Sequence, residues 1–459
     1  MIKILADIGF DKKDRGLIMY AHIIIKVTLL LMLSVSLNAQ ELHRRAQWQA
    51  TFETNFDTVK TPGVTLLSLT KNSPLDVAGL KVGDKIMSID GKLISSREDW
   101  NDLTDSLKAD YPYELIYRKA GECTSRTAHL SFDPVPLEVH QGIETYYETI
   151  VSDFAIKQRV IITKPQYVQT KQAAVIFLQG LSCSSIELTP NRRNNYLRLI
   201  KDIVQKSQTV VMRVEKPGMG DSEGHCSDTD FTVELNGYET AVQHLLSKDY
   251  VDNTKVVVYG NSMGSALAPY IANKYNLSGV ISDGTYLRTW FEHMLEIERR
   301  IRKMQGDSQS EITQKMNHAY IPLYYGMLIE KKSYADMIKE NPLLASYNYH
   351  GLNHMYGRPM SFYHQLQEFD IAGAWEKLKV PARIRWGTHD WIMSEYDNDL
   401  IVEILQSSGH QDHTLLKYPM MDHWSTIHKS YDSSFKGEKG TWDPKVSGQI
   451  LDWIKELTE

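Results

Sequence analysis

The stretch that decides the fold is Lys255–Tyr275, KVVVYGNSMGSALAPYIANKY. Lys255–Tyr259 carries three consecutive valines and a tyrosine, the text of a buried strand. Ser265–Tyr275 is rich in alanine, with large apolar residues spaced for a helix. Only Gly260, Asn261, Ser262, Met263 and Gly264 remain between them to reverse the chain. So tight a turn forces unusual dihedrals on its central residue, and small neighbours let strand and helix approach. A glycine-bounded turn with an incidental serine reads the same way at this point. The flanking chain has to decide.

Strand and helix alternate on both sides of this stretch. Glu144–Val151 and Gln158–Thr163 read as an antiparallel hairpin. Ala173–Leu178, Thr209–Val214, Leu277–Ser282, Ala382–Trp386 and His413–Tyr418 read as further apolar strands. Helical patterns such as Asn195–Lys206 and Val233–Ser247 lie between most of them. The alternation predicts an α/β fold: a doubly wound, mostly parallel, eight-stranded sheet. It fails once. From about Tyr286 to Trp375 the text is helical, rich in Tyr, Met and His, with no obvious strand. That insertion falls between the sixth and seventh strands and reads as a cap over the sheet's C-terminal edge, where open α/β sheets bind ligands.

A chain of 459 residues needs more than one core. Its net charge of −6, with no long basic cluster, argues against a nucleic-acid partner. From Met19 the text runs MYAHIIIKVTLLLMLSVSLNAQ: Lys26, an apolar Val27–Leu37 region, then Leu37-Asn38-Ala39. Residues 1–39 are therefore expected to be an export signal cut after Ala39, with Met19 as the true start. The expected location is periplasmic or secreted, with no stable membrane insertion after cleavage. An uncleaved anchor is the other reading, although the apolar run is short for a span.

Residues 44–134 form a separate unit. Gly63–Thr70 and Lys85–Ile89 read as strands, the latter closed by a turn at Asp90-Gly91. Ser73 caps a short helix with Pro74 at its first position, and Ser96–Leu107 is a longer helix with Trp100, Leu103 and Leu107 on one face. Tyr113–Arg118 and Ser125–Phe132 flank a turn at KAGE. The run NSPLDVAGLKVGDKIMSIDGK resembles a bacterial-type PDZ domain. The resemblance implies an extended peptide ligand, bound by adding a strand to a sheet edge. A scaffold or dimerising domain is the alternative.

The second unit, residues 144–459, carries the chemistry. Ser262 is not nucleophilic by itself; it needs a base, an acid to orient that base, and donors for a developing oxyanion. Asp390, in VPARIRWGTHDWIMS, lies just beyond the seventh strand. His423, in HTLLKYPMMDHWS, lies beyond the eighth. Serine, aspartate and histidine thus follow successive strands. That order, with GNSMG as a nucleophile elbow, resembles the α/β-hydrolase superfamily, in its serine esterase and peptidase branch with a helical cap. Asp283, in VISDGT, is the alternative acid; His389, Asp422 and His428 are nearby rivals. In AAVIFLQGLSCSS, Gln179-Gly180 stands where this superfamily often has His-Gly. The resemblance therefore implies an oxyanion hole built from the N–H groups of Leu181 and Met263. VVMRVEKPGMGDSEG resembles the segment after the fourth strand, with Glu215 in place of the common aspartate.

These residues imply acyl transfer to water with no metal or organic cofactor. His350 and His354 have the spacing of a helical metal pair, but no glutamate follows His350 and Gly351 weakens the helix. The leading expectation is an exported hydrolase of carboxylic esters, acting on a small-molecule ester or short peptide. A prolyl-aminopeptidase-type peptidase is the alternative, with Glu292, Glu296 and Glu298 available to hold a substrate amine, although charged helix residues are usually just solvated. A PDZ-led adaptor with an inactive hydrolase is a third. Of the three cysteines, Cys183 and Cys226 sit in the loops after the third and fourth strands. In this fold those loops are close enough for a disulfide, leaving Cys123 free; two unpaired thiols are the other reading.

Overall fold

The larger sheet starts at one edge and, apart from an exchange of its third and fourth strands, is laid down in chain order toward the other. Its strands are β1 (Ile143–Val151), β2 (Lys157–Pro165), β3 (Gln172–Leu178), β4 (Val210–Val214), β5 (Val251–Asn261), β6 (Gly279–Asp283), β7 (Ala382–Gly387) and β8 (His413–Tyr418). Their order is β8-β7-β6-β5-β3-β4-β2-β1. β3 through β8 run parallel, while β2 is antiparallel to both β1 and β4. The computed structural model describes residues 42–54, 62–166, 170–189, 194–351 and 353–459; the expected export signal lies outside them. Among the described residues no helix is long and apolar enough to cross a membrane.

Because successive strand residues face opposite ways, each central strand feeds two cores. Ile176, Met212, Val258 and Val280 join one, under α2 (Phe231–Leu246) and α3 (Met263–Tyr275). Val175, Phe177, Val257, Tyr259 and Ile281 join the other, under α1 (Asn195–Lys206) and the C-terminal helix Pro444–Thr458. Asn194 and Asp230 cap α1 and α2 by accepting main-chain N–H groups.

The insertion between β6 and β7 is built on α4 (Trp290–Met304), which opens with a Thr289/Glu292 capping box. It is not purely helical. His354–Met355 and Arg358–Pro359 pair as a small antiparallel ribbon. Two residues per strand carry no period to read, and the turn is made by Tyr356 and Gly357, both at positive φ. The chain also widens into π-helical turns at Met316–Tyr320 and Tyr325–Ile329.

The N-terminal unit holds Ala50–Glu53, Val64–Leu69, Lys85–Ile89, Pro112–Arg118 and Ser125–Ser131 in one antiparallel sheet path. Helix Arg97–Ser106, capped reciprocally by Ser96 and Asp99, buries Trp100 and Leu103 against it. Arg44 and Arg45 join this unit to the larger one. Arg44 contacts Glu187 and Asp221 at 2.7 Å each, and Arg45 contacts Glu187 at 2.8 Å.

Candidate active site

The GNSMG turn has the geometry its composition demanded. Ser262 sits at φ 56°, ψ −126°, strained backbone for a residue with a Cβ, between the end of β5 and the first turn of α3. Its N–H is held by the Asp283 carbonyl at 2.9 Å. Glycines flank it for lack of room: a Cβ at Gly260 would overlap the Gly264 carbonyl, and one at Gly264 would overlap that of Leu178.

His423 Nε2 lies 3.0 Å from Ser262 Oγ, and its Nδ1 lies 2.8 Å from Asp390 Oδ2. Asp390 is buried beyond β7, and its other oxygen accepts the N–H groups of Ile392 and Met393 at 2.9 and 2.8 Å. Burial pulls the His423 pKa down, but the charge and hydrogen bond of Asp390 outweigh it, and the net shift is upward. The loop bearing His423 is organised by its neighbour Asp422. One Asp422 oxygen accepts the N–H groups of Trp424 and Thr426, and the other meets His428 at 3.0 Å.

The rivals are engaged elsewhere. Asp283 accepts two bonds from the Arg385 guanidinium, at 2.8 and 2.6 Å, and one from Tyr259 at 2.9 Å. His389 packs edge-on against Tyr431. On the side of β3, Gly180 passes so close to Ser262 that a Cβ there would lie 2.9 Å from Ser262 Cβ. Gln179, buried, donates to the Val214 carbonyl at 3.2 Å. Leu181 and Met263 both line the cavity above Ser262. Cys183, two residues on, is disulfide-bonded to Cys226 with Cα atoms 5.8 Å apart; Cys123 is free and exposed.

That cavity has a volume of about 820 Å³. Trp290, His293, Ile297 and Ile301 form one stripe of α4 along it, facing Trp391 and Trp424. This helical spacing is legible in the sequence; that the stripe shares a cavity with Ser262 is not. Burial drives the His293 pKa down to about 3, so its ring is neutral at physiological pH. The three cap glutamates do not line the cavity. Glu292 caps α4, Glu296 pairs with Arg300 and Arg288, and Glu298 accepts from Tyr324 and Tyr349 at 2.8 Å each. The last is buried, against the expectation of a solvated charge. Among the described residues no cluster of three potential metal ligands occurs; His354 instead meets the Ser227 carbonyl at 3.2 Å.

Residues 36–127 match the PDZ domain profile. Residues 190–427 match the profile described as "Serine aminopeptidase, S33". An esterase of Thermotoga maritima, EstD, is 23% identical over 289 residues, 61% of each chain. An uncharacterized membrane protein of Saccharomyces cerevisiae, YNL320W, is 34% identical over 104 residues, 22% of this chain and 36% of that one. The chain thus spans 61% and 36% of the lengths of these curated relatives. Among solved structures, the Pyrococcus furiosus esterase Pf2001 aligns at 12% identity and a TM-score of 0.44, over 71% of this chain and 97% of that one. The profile match covers more than half of the residues, and by it this chain belongs to the serine aminopeptidase S33 family of α/β-hydrolases, carrying a PDZ domain on its N-terminal side.

Proposed function

We propose that this protein is an exported serine hydrolase that cleaves carboxylic esters through an acyl-enzyme on Ser262. The observation that carries the reading is the Asp390–His423–Ser262 hydrogen-bonded chain at an apolar cavity. Ser262 Oγ attacks the acyl carbon while His423 Nε2 takes its proton, and Asp390 stabilises the imidazolium that forms. The Leu181 and Met263 N–H groups receive the oxyanion. Collapse expels the alcohol, protonated by His423. Water then repeats the sequence on the acyl-serine and releases the acid.

The ester reading is preferred to an aminopeptidase because no carboxylate occurs among the described residues lining the cavity. A substrate ammonium would have no counter-charge there, which a desolvated cation needs. Export is supported by the N-terminal apolar segment and by the disulfide, which fits an oxidising compartment. A peptide ligand for the PDZ domain follows from its family alone. Profiling the purified full chain on p-nitrophenyl esters beside aminoacyl-anilides tests the reading. Faster turnover of aminoacyl-anilides than of esters would overturn it in favour of a peptidase.

A further inference from the structure

Lys216 lies in the EKPGMG segment after β4 and is 1% exposed. Its ammonium donates to the Gly180 carbonyl and, at 3.2 Å, to the Leu181 carbonyl. It also meets Glu234 Oε1 of α2 at 3.0 Å. The other Glu234 oxygen pairs with Arg358 of the cap ribbon, and Arg358 in turn touches the Cys226 sulfur of the disulfide. All three charged side chains are buried. Two cations share one carboxylate, so the cluster holds a positive charge in excess. The adjacent Glu215 does not neutralise it: its carboxyl turns away to Ser185 and the Ile186 N–H, and burial raises its pKa.

An unbalanced buried charge is costly, and here it points at one peptide unit. The Gly180 carbonyl that Lys216 grips and the Leu181 N–H belong to the same amide. A cation on the oxygen polarises that amide, fixes its plane and strengthens the N–H as a donor. We propose that Lys216 is a positioning residue of the oxyanion hole, holding and polarising the Gly180–Leu181 peptide, with Glu234 and Arg358 fixing Lys216 in turn. This role rests on the ester-hydrolase reading above.

The role has a pH signature. The charged groups acting on Lys216 are Glu234 on α2 and Arg358 on the ribbon, and Tyr238 of α2 lies in the field of both. Burial lowers the Lys216 pKa, Glu234 opposes it and Arg358 adds to it, leaving it at about 8. The ammonium is present below that pH and lost above it, so turnover should fall as pH rises through about 8.

The test uses the full chain and the variants Lys216→Met and Lys216→Arg. Fluorophosphonate labelling of the wild type at Ser262 is checked first; failure to label and to hydrolyse esters overturns the ester reading, and this role with it. With labelling intact, Lys216→Met should lose about 10²-fold in kcat with KM changed less than about threefold. Affinity for an aryl trifluoroketone, which forms a tetrahedral oxyanion on the serine, should fall by a similar factor. Lys216→Arg, charged at every accessible pH, should retain most of the activity and abolish the alkaline limb. If Lys216→Met keeps kcat and trifluoroketone affinity within about twofold of wild type, the proposal is wrong. Should that variant not fold, the arginine variant decides: an alkaline limb unchanged by Lys216→Arg overturns the proposal.

Discussion

Two buried ionic clusters lie behind the candidate site, one on each side of Ser262, and they are built differently. Behind the elbow, Asp283 and Arg385 stand opposite each other on β6 and β7 and form a two-pronged pair, with Tyr259 as a third partner. One carboxylate meets one guanidinium, and no net charge is left. Behind the oxyanion loop, Lys216 and Arg358 share Glu234, and one positive charge is left over. The balanced pair ties neighbouring strands. The unbalanced cluster ties together the β4 loop, α2, the cap ribbon and the peptide before Leu181. The comparison separates two uses of buried charge: one closes a sheet, the other sets a potential where negative charge is to develop.

Removing the nucleophile is the most severe way to sharpen this comparison, because both sides then lose their common target. Ser262→Ala is expected to lower kcat on the order of 10⁶-fold with an unchanged melting temperature. Fluorophosphonate labelling should vanish with it. Persisting ester turnover at the wild-type rate would move the nucleophile elsewhere.

The acid side can be broken in two places with opposite results. Asp390→Asn should cost about 10⁴-fold in kcat and little stability, since it removes the charge beside His423. Asp283→Asn should leave Arg385 buried without its counter-charge and cost about 3–5 kcal/mol of stability, with kcat of the folded fraction nearly preserved. Urea unfolding and steady-state rates on both variants decide. A larger kcat loss at Asp283 would make it the orienting acid and undo the contrast.

Reduction of Cys183–Cys226 probes the oxyanion side more gently. The bond spans a sequence separation of 43, for which chain entropy gives about 4 kcal/mol of stability. Melting with and without reductant measures it. A matching drop in ester turnover is expected from the folded, reduced protein, because Cys226 anchors Arg358 and Cys183 follows Leu181 by two residues. Unchanged turnover would detach the disulfide from the oxyanion loop.

The smallest effect is a shift of the acid limb. His423 must be neutral to accept the serine proton. With its pKa raised by Asp390 over the opposing effect of burial, activity should fall with decreasing pH around a midpoint above the ordinary histidine value. In the residual activity of Asp390→Asn that midpoint should move down. A midpoint unmoved by the substitution would mean that Asp390 does not set the charge of His423.

Some of this site was legible because its causes are local. Gly260 is dictated by the close packing of β5 on the first turn of α3 a few residues away, and a strained Ser262 follows from the shortness of the turn; Gly264 instead makes room for the Leu178 carbonyl at the end of β3. Asp390 and His423 each stand a few residues past a strand whose apolar run is plain, so chain order alone put them at one sheet edge. Glu298 was misread for the opposite reason: its helix text looks like that of a solvated charge, and its tyrosine partners come from distant cap segments.

By itself the sequence determined the alternation of strand and helix, the elbow and the interruption by a cap. Each depends on periodicity or on contacts between near neighbours, which short segments carry. Tertiary structure alone decided the cap ribbon, whose two-residue strands are too short for a pattern. It also decided the pairing of Glu234 with Arg358 across 124 positions and the grip of Lys216 on Gly180. Nothing local distinguishes that lysine from a solvated one. Its role arises from burial, which removes the water that would otherwise screen its charge and leaves the Gly180–Leu181 amide as a partner.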